Sequence, residues 1–79
     1  MNLDNKVIEI VKELSGSEKV FRESLLSDDL AIDSLGMVML LIAIEDDFDI
    51  QLDESDMNPF GILTVEDVIN LVCKYGGDK

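Results

Sequence analysis

Few residues in this chain can do covalent chemistry, and their inventory excludes more than it allows. There is no histidine and a single cysteine, Cys73. A Ser-His-Asp triad, a Cys-His pair and a multi-ligand zinc site therefore lack their parts. The acidic string that starts at Glu45 and runs through Asp47 and Asp49 invites a calcium reading. It puts Ile50 at the sixth position, where the ligand loop must turn sharply, and Asp56 at the twelfth in place of a longer bidentate glutamate. No metal ligands are expected from it. The most informative residue is Ser34, in Leu30-Ala31-Ile32-Asp33-Ser34-Leu35-Gly36, at the end of a long loop and the mouth of an apolar helix. No histidine activates it, and the second glycine of a nucleophile elbow is missing, so hydrolysis is excluded. Its position suits carrying a phosphate: a phosphodiester on its hydroxyl sits beside the free N–H groups and positive dipole end of the helix that follows. Asp33 opposes that slightly by charge. The competing reading is that Ser34 merely caps the helix, a role worth about 0.5–2 kcal/mol.

The elements around it can be read from spacing. Residues 3 to 14 set Leu3, Val7, Ile10, Val11 and Leu14 on one stripe, an amphipathic first helix that stops at Ser15-Gly16-Ser17. From Ser17 to Asp33 no period persists. This long loop is expected to be pinned by Val20, Phe21, Leu25, Leu26, Leu30 and Ile32, and loops of that length often carry function. Residues 34 to 47 form a second helix with Asp33 or Ser34 as its cap. Because Leu35 to Ile44 hold hardly a polar residue, this helix either sits centrally or leaves an apolar strip exposed. Asp53 to Met57 can make one helical turn, which Asn58-Pro59 ends. Thr64-x-x-Asp67 is a weakened capping box for a last helix carrying Val65, Val68, Ile69 and Val72, released by Gly76-Gly77. Cys73 is expected to be a buried, inert thiol. The fold class that follows is all-α: a small four-helix bundle of three long helices and one short one, with a long first loop.

Seventy-nine residues allow one domain, residues 1 to 79. Eighteen acidic against six basic side chains give a net charge of −12, which repels nucleic acid and anionic lipid surfaces. No membrane insertion is expected, and with no signal-like amino terminus and no disulfide pair the expected compartment is a reducing cytoplasm. No lysine or arginine lies between Arg22 and Lys74, a stretch holding thirteen of the eighteen carboxylates. That single-sign field suits docking against basic partner surfaces. The same repulsion predicts marginal stability in dilute buffer, so the thermal midpoint should rise with moderate salt or millimolar magnesium. A midpoint that stays flat or falls would remove the repulsion argument.

At Asp33-Ser34-Leu35, at Ala43-Ile44-Glu45-Asp46-Asp47-Phe48-Asp49-Ile50 and at Thr64-Val65-Glu66-Asp67-Val68 the chain resembles the acyl carrier protein family, small acidic helical proteins of lipid and fatty acid metabolism. The resemblance covers nearly the whole sequence. It implies no enzymatic activity of its own. It implies that a phosphopantetheinyl transferase attaches 4'-phosphopantetheine from coenzyme A to Ser34, that the arm holds acyl groups as thioesters, and that a monomer shuttles them between acyl- or aminoacyl-loading and condensing enzymes. Asp33 then helps the transferase grip the motif, and Leu35 fills a small pocket. Docking to such partners is expected at Met37, Met39 and Leu40, where flexible thioethers suit changing surfaces, and at Glu45, Asp46 and Asp47. Fatty-acid carriers usually set an acidic residue directly after the motif and another one turn later, where this chain has Gly36 and Met39. The departure leaves room for a specialised carrier, for instance of aminoacyl or D-alanyl groups. A reading from a different class, an unmodified acidic helical adaptor, also fits the composition.

Overall fold

The computed structural model describes residues 2–57 and 61–76 and is all-helical there: three α-helices and one 3-10 turn, with no strand among the described residues. The first helix, α1 (Leu3–Ser15), begins where the Asn2 side chain accepts from Asn5 N at 2.9 Å. It ends where Gly16, at φ 73°, takes the left-handed conformation and donates its N–H to the Lys12 carbonyl. The second, α2 (Ser34–Phe48), and the third, α3 (Val65–Lys74), both pack against α1. The expected short fourth helix is a 3-10 turn over Glu54–Met57. The expected break at Asn58-Pro59 lies outside the described residues.

Val7, Ile10 and Val11 of α1 meet Met37, Leu40, Leu41 and Ile44 of α2 and Val65, Val68, Ile69 and Val72 of α3 in one core. These are the stripes expected for α1 and α3. In α3, Thr64 Oγ1 accepts from Asp67 N, and the Asp67 carboxylate accepts from the backbone N–H groups of both Leu63 and Thr64. Aspartate thus completes the capping box despite its shorter reach. Cys73 corrects the expectation of a buried thiol: it is exposed, because one residue beyond Val72 turns about 100° around the helix and out of the core-facing stripe.

The long loop is ordered because it supplies acceptors that α3 needs. The first N–H groups of a helix have no partner within it. Val65 N donates to Ser24 O at 3.2 Å and Glu66 N to Arg22 O at 2.8 Å. Leu26 N in turn donates to Leu63 O. Arg22 reinforces the junction, with Nη1 2.7 Å from Asp4 and Nη2 3.2 Å from Glu66. Val20, Leu26, Leu30 and Ile32 anchor the loop in the core as expected. Phe21 and Leu25 do not. They are 58% and 38% exposed, since the residues that pair with α3 turn these two side chains outward.

The charges of α2 run against its dipole, with no acidic residue in its first turn and Glu45, Asp46 and Asp47 near its carboxyl end. Lys6 of α1 offsets this, donating from Nζ to the Asp47 carbonyl at 3.2 Å and lying 5.0 Å from the centre of the Phe48 ring. Tyr75 lines one cleft with Lys6, Asp47 and Phe48, and its hydroxyl accepts from Asp53 N and donates to the Asp56 carboxylate, which also takes the Lys74 ammonium at 3.1 Å. Tyr75, and then Lys74, hold the Asp56 carboxyl below its ordinary 3.8. The same hydrogen bond to Asp56 raises Tyr75 above 10.0 and that carboxylate raises Lys74 above 10.5. The Asp56 contribution is therefore present above 3.8 and lost as pH falls through the lowered value. The Tyr75 contribution is present below 10.0 and lost as pH rises through the raised one. Tyr75→Phe should melt below wild type near neutrality, and the gap should narrow in acid well under 3.8, down to the part due to the lost acceptor for Asp53 N. Thermal melts across pH check this, and a gap of constant size over that range excludes the link to Asp56.

Candidate functional site

The neck leading into α2 is built from four neighbours. Ala31 sits at φ 54°, a left-handed conformation that costs an L residue other than glycine, asparagine or aspartate, and so turns the chain sharply before the helix. Ile32 follows, buried, with its N–H donating to Leu26 O at 2.9 Å. Asp33 is the cap: its backbone is extended, its carboxylate accepts from Gly36 N at 2.7 Å, and its carbonyl accepts from Met37 N. Gly36 fits because a Cβ there would stand 2.8 Å from Ile32 Cγ2 and 3.2 Å from Asp33 Oδ1. Ile32 is buried and β-branched, so it yields little room.

The question of which residue caps α2 is thereby answered. Asp33 does, and Ser34 is the first helical residue, exposed, its hydroxyl making no hydrogen bond to any described residue. A group on that oxygen would meet the positive end of a 15-residue helix, where Asp33 takes the N–H groups of Gly36 and Met37 and helix geometry leaves those of Ser34 and Leu35 without an intrahelical partner. Two clefts flank the residue. One, of about 270 Å³, is lined by Leu26, Ile32, Met37, Ile62 and Leu63 and by Ser34 itself. The other, of about 310 Å³, lies between the end of α1 and the start of α2 and includes Leu14, Leu30, Leu35 and Met39. A phosphodiester with a long arm fits an open hydroxyl with space on either side. Asp33 Oδ1 accepts from Gly36 N, no hydrogen bond joins the Ser34 hydroxyl to a base among the described residues, and the sequence has no histidine to act as one.

Among the docking residues expected from sequence, Met39 is exposed, but Met37 and Leu40 are not: they are buried in the core at 5% and 0% exposure. The exposed strip is Leu35, Val38, Met39 and Ile42. Sequence reasoning missed Val38 and Ile42, and the signal it lacked was a polar residue between Leu35 and Ile44 to fix which side faces out. Leu35 stands in the open beside Ser34. Asp46 and Asp47 are exposed, whereas Glu45 is half-buried and accepts from Leu52 N at 2.8 Å, so part of its carboxylate serves the fold. Among the described residues no group of three or more acidic or cysteine side chains is arranged to hold a metal ion. Among the described residues no helix is long and apolar enough to cross a membrane.

Comparison with known proteins supplies the chemistry this geometry leaves open. A family model described as a phosphopantetheine attachment site matches residues 5–72. An acyl carrier protein of Desulforapulum autotrophicum is 39% identical over 77 residues, covering 94% of this chain and 97% of that one. One of Campylobacter lari is 38% identical over 64 residues, 80% of each chain. Among solved structures, the acyl carrier protein of Thermotoga maritima superposes with a TM-score of 0.72 at 29% identity, over 90% of this chain and 82% of that one. A Mycobacterium tuberculosis chain described as an acyl carrier protein gives 0.83 at 27% identity, over 92% of this chain and 97% of that one.

Proposed function

From the premise that the chain belongs to the acyl carrier protein family, whose members carry covalent 4'-phosphopantetheine and are carriers, not enzymes, we propose that Ser34 is the attachment point and that the protein shuttles thioester-bound intermediates between partner enzymes. The observation that carries this reading is the exposed Ser34 hydroxyl, released from capping by Asp33. When bound, the group supplies a thiol on a flexible tether, which raises the local concentration of a cargo at each enzyme visited. The chain's own residues do the positioning. The Asp33–Gly36 hydrogen bond and the close packing of Gly36 on Ile32 fix the backbone of the first turn of α2, and with it the place from which the Ser34 side chain projects. The visiting transferase must bring the base that takes the Ser34 proton, with Asp33 and Leu35 as the nearest groups for it to grip.

A specialised cargo, aminoacyl or other, is favoured by one further observation: the first turn of α2 carries no acidic residue, Gly36 and Met39 standing where general fatty-acid carriers keep charge. The work is done as a monomer in a reducing, cytoplasmic setting. Intact mass after incubation with coenzyme A, magnesium and a broad-specificity phosphopantetheinyl transferase is expected to rise by one arm, and fragment masses should assign it to Ser34. An unchanged mass for protein shown to be folded would leave the adaptor reading in its place.

A further inference from the structure

Glycine is a poor choice for the first turn of a helix, where alanine loses less backbone freedom on folding. Gly36 holds such a position in α2, and its φ is not positive, so the backbone itself does not call for glycine. Ile32 does. A Cβ on Gly36 would stand 2.8 Å from Ile32 Cγ2, well inside the ~3.5–4.0 Å of ordinary carbon–carbon contact. The atom in the way is the branch methyl, which a β-branched side chain cannot easily swing aside. Nor can the residue retreat as a whole. Its side chain is buried in the core that includes Leu26 and Met37, its N–H donates to Leu26 O at 2.9 Å, and the left-handed Ala31 turns the chain immediately before it. The other neighbour of that Cβ, Asp33 Oδ1 at 3.2 Å, belongs to an exposed side chain that has room to give way.

Ile32 thus decides what can stand at position 36 and where the first turn of α2 lies. Were a side chain pressed between the two, the turn would move, because the residue behind it is held. Ser34 rides on that turn, two residues from each member of the pair. Resting on the reading of Ser34 as the attachment point, we propose that Ile32 is a positioning residue for the loading reaction: acting through Gly36, its branch methyl sets where the Ser34 oxygen stands when the transferase closes on it. It contributes no group to the chemistry. The same contact accounts for the absence of an acidic residue directly after the motif, since any side chain at 36 meets that methyl.

The test measures attachment of the arm to the full-length apo-protein by a recombinant broad-specificity transferase with coenzyme A and magnesium, as kcat and KM, with a thermal melt for every variant. Gly36→Ala is expected to lower kcat roughly tenfold with KM nearly unchanged, because the attacking oxygen is displaced while the surfaces that dock stay in place. Adding Ile32→Leu, which removes the branch methyl and keeps the volume, should bring kcat back to within about twofold of wild type. Adding Ile32→Val, which is smaller but keeps the branch, should not. Gly61→Ala, where a Cβ meets nothing within 4 Å, should load as wild type does. If Gly36→Ala is unfolded at the assay temperature, the proposal requires Ile32→Leu to restore fold and loading together and Ile32→Val to restore neither. A wild-type kcat for folded Gly36→Ala, a defect confined to KM, a defect that leucine does not relieve, or equal rescue by valine overturns the role of Ile32 while leaving Ser34 as the attachment point. A wild type that takes up no arm overturns both.

Discussion

Ser34→Ala is expected to take up no arm from coenzyme A while melting at the wild-type temperature. The two halves of that result have separate causes. Loading is lost because the attacking oxygen is gone, and the other hydroxyl residues lining the two flanking clefts, Ser27 and Ser15, stand on the loop and at the end of α1, outside the first turn of α2. Stability is kept because Ser34 is the first helical residue and its side chain satisfies no backbone donor among the described residues. That donor is Gly36 N, and its partner is Asp33. Asp33→Ala should therefore behave in the opposite way, costing about 1 kcal/mol, or roughly 4–8 °C for a domain of this size. Asp33→Asn, which retains a capping oxygen, should recover most of it. Intact mass and thermal melts of the three variants decide the matter. A Ser34→Ala protein that melts as low as Asp33→Ala would mean that the serine is a cap after all.

The largest stability effect is expected at the centre of α2. Leu40 is completely buried, on the face that also carries Met37, Leu41 and Ile44. Truncation to alanine removes its apolar contacts and leaves a cavity, at about 2–5 kcal/mol. A domain has about 5–15 kcal/mol in all, and a small one sits toward the lower end, so Leu40→Ala should lower the midpoint by more than about 10 °C. Met39→Ala, one residue away and half exposed, should stay within about 0.5 kcal/mol of wild type. Urea titration of the pair measures the rotational setting of the helix. Similar losses at the two positions would show that the helix is turned differently from the structure described here.

That rotational setting divides what could be read locally from what could not. The extents of α1 and α3 and their buried stripes follow from spacing, because polar residues on their outer faces leave one arrangement that buries the apolar ones. The αL turn at Gly16 and the capping box at Thr64 are equally local, each needing atoms within four residues. Ser34 was legible as a candidate because it stands at the mouth of the apolar helix and because its neighbours resemble a family motif.

Alpha2 offered no such contrast. From Leu35 to Ile44 every side of it is apolar, so its own sequence is compatible with burying Met39 or Leu40 equally well. Packing against α1 chose Met37, Leu40, Leu41 and Ile44, and thereby put Leu35, Val38, Met39 and Ile42 outside. The loop shows the same division. Which of its apolar residues anchor it depends on where the carbonyls of Arg22 and Ser24 meet the free N–H groups of α3, some forty residues away in sequence. Sequence alone determined the extents of α1 and α3 and singled out Ser34 at the mouth of α2, since caps, turns and periodicity act within a few residues. Tertiary structure decided which faces and which cap were used, since burial is settled only between elements.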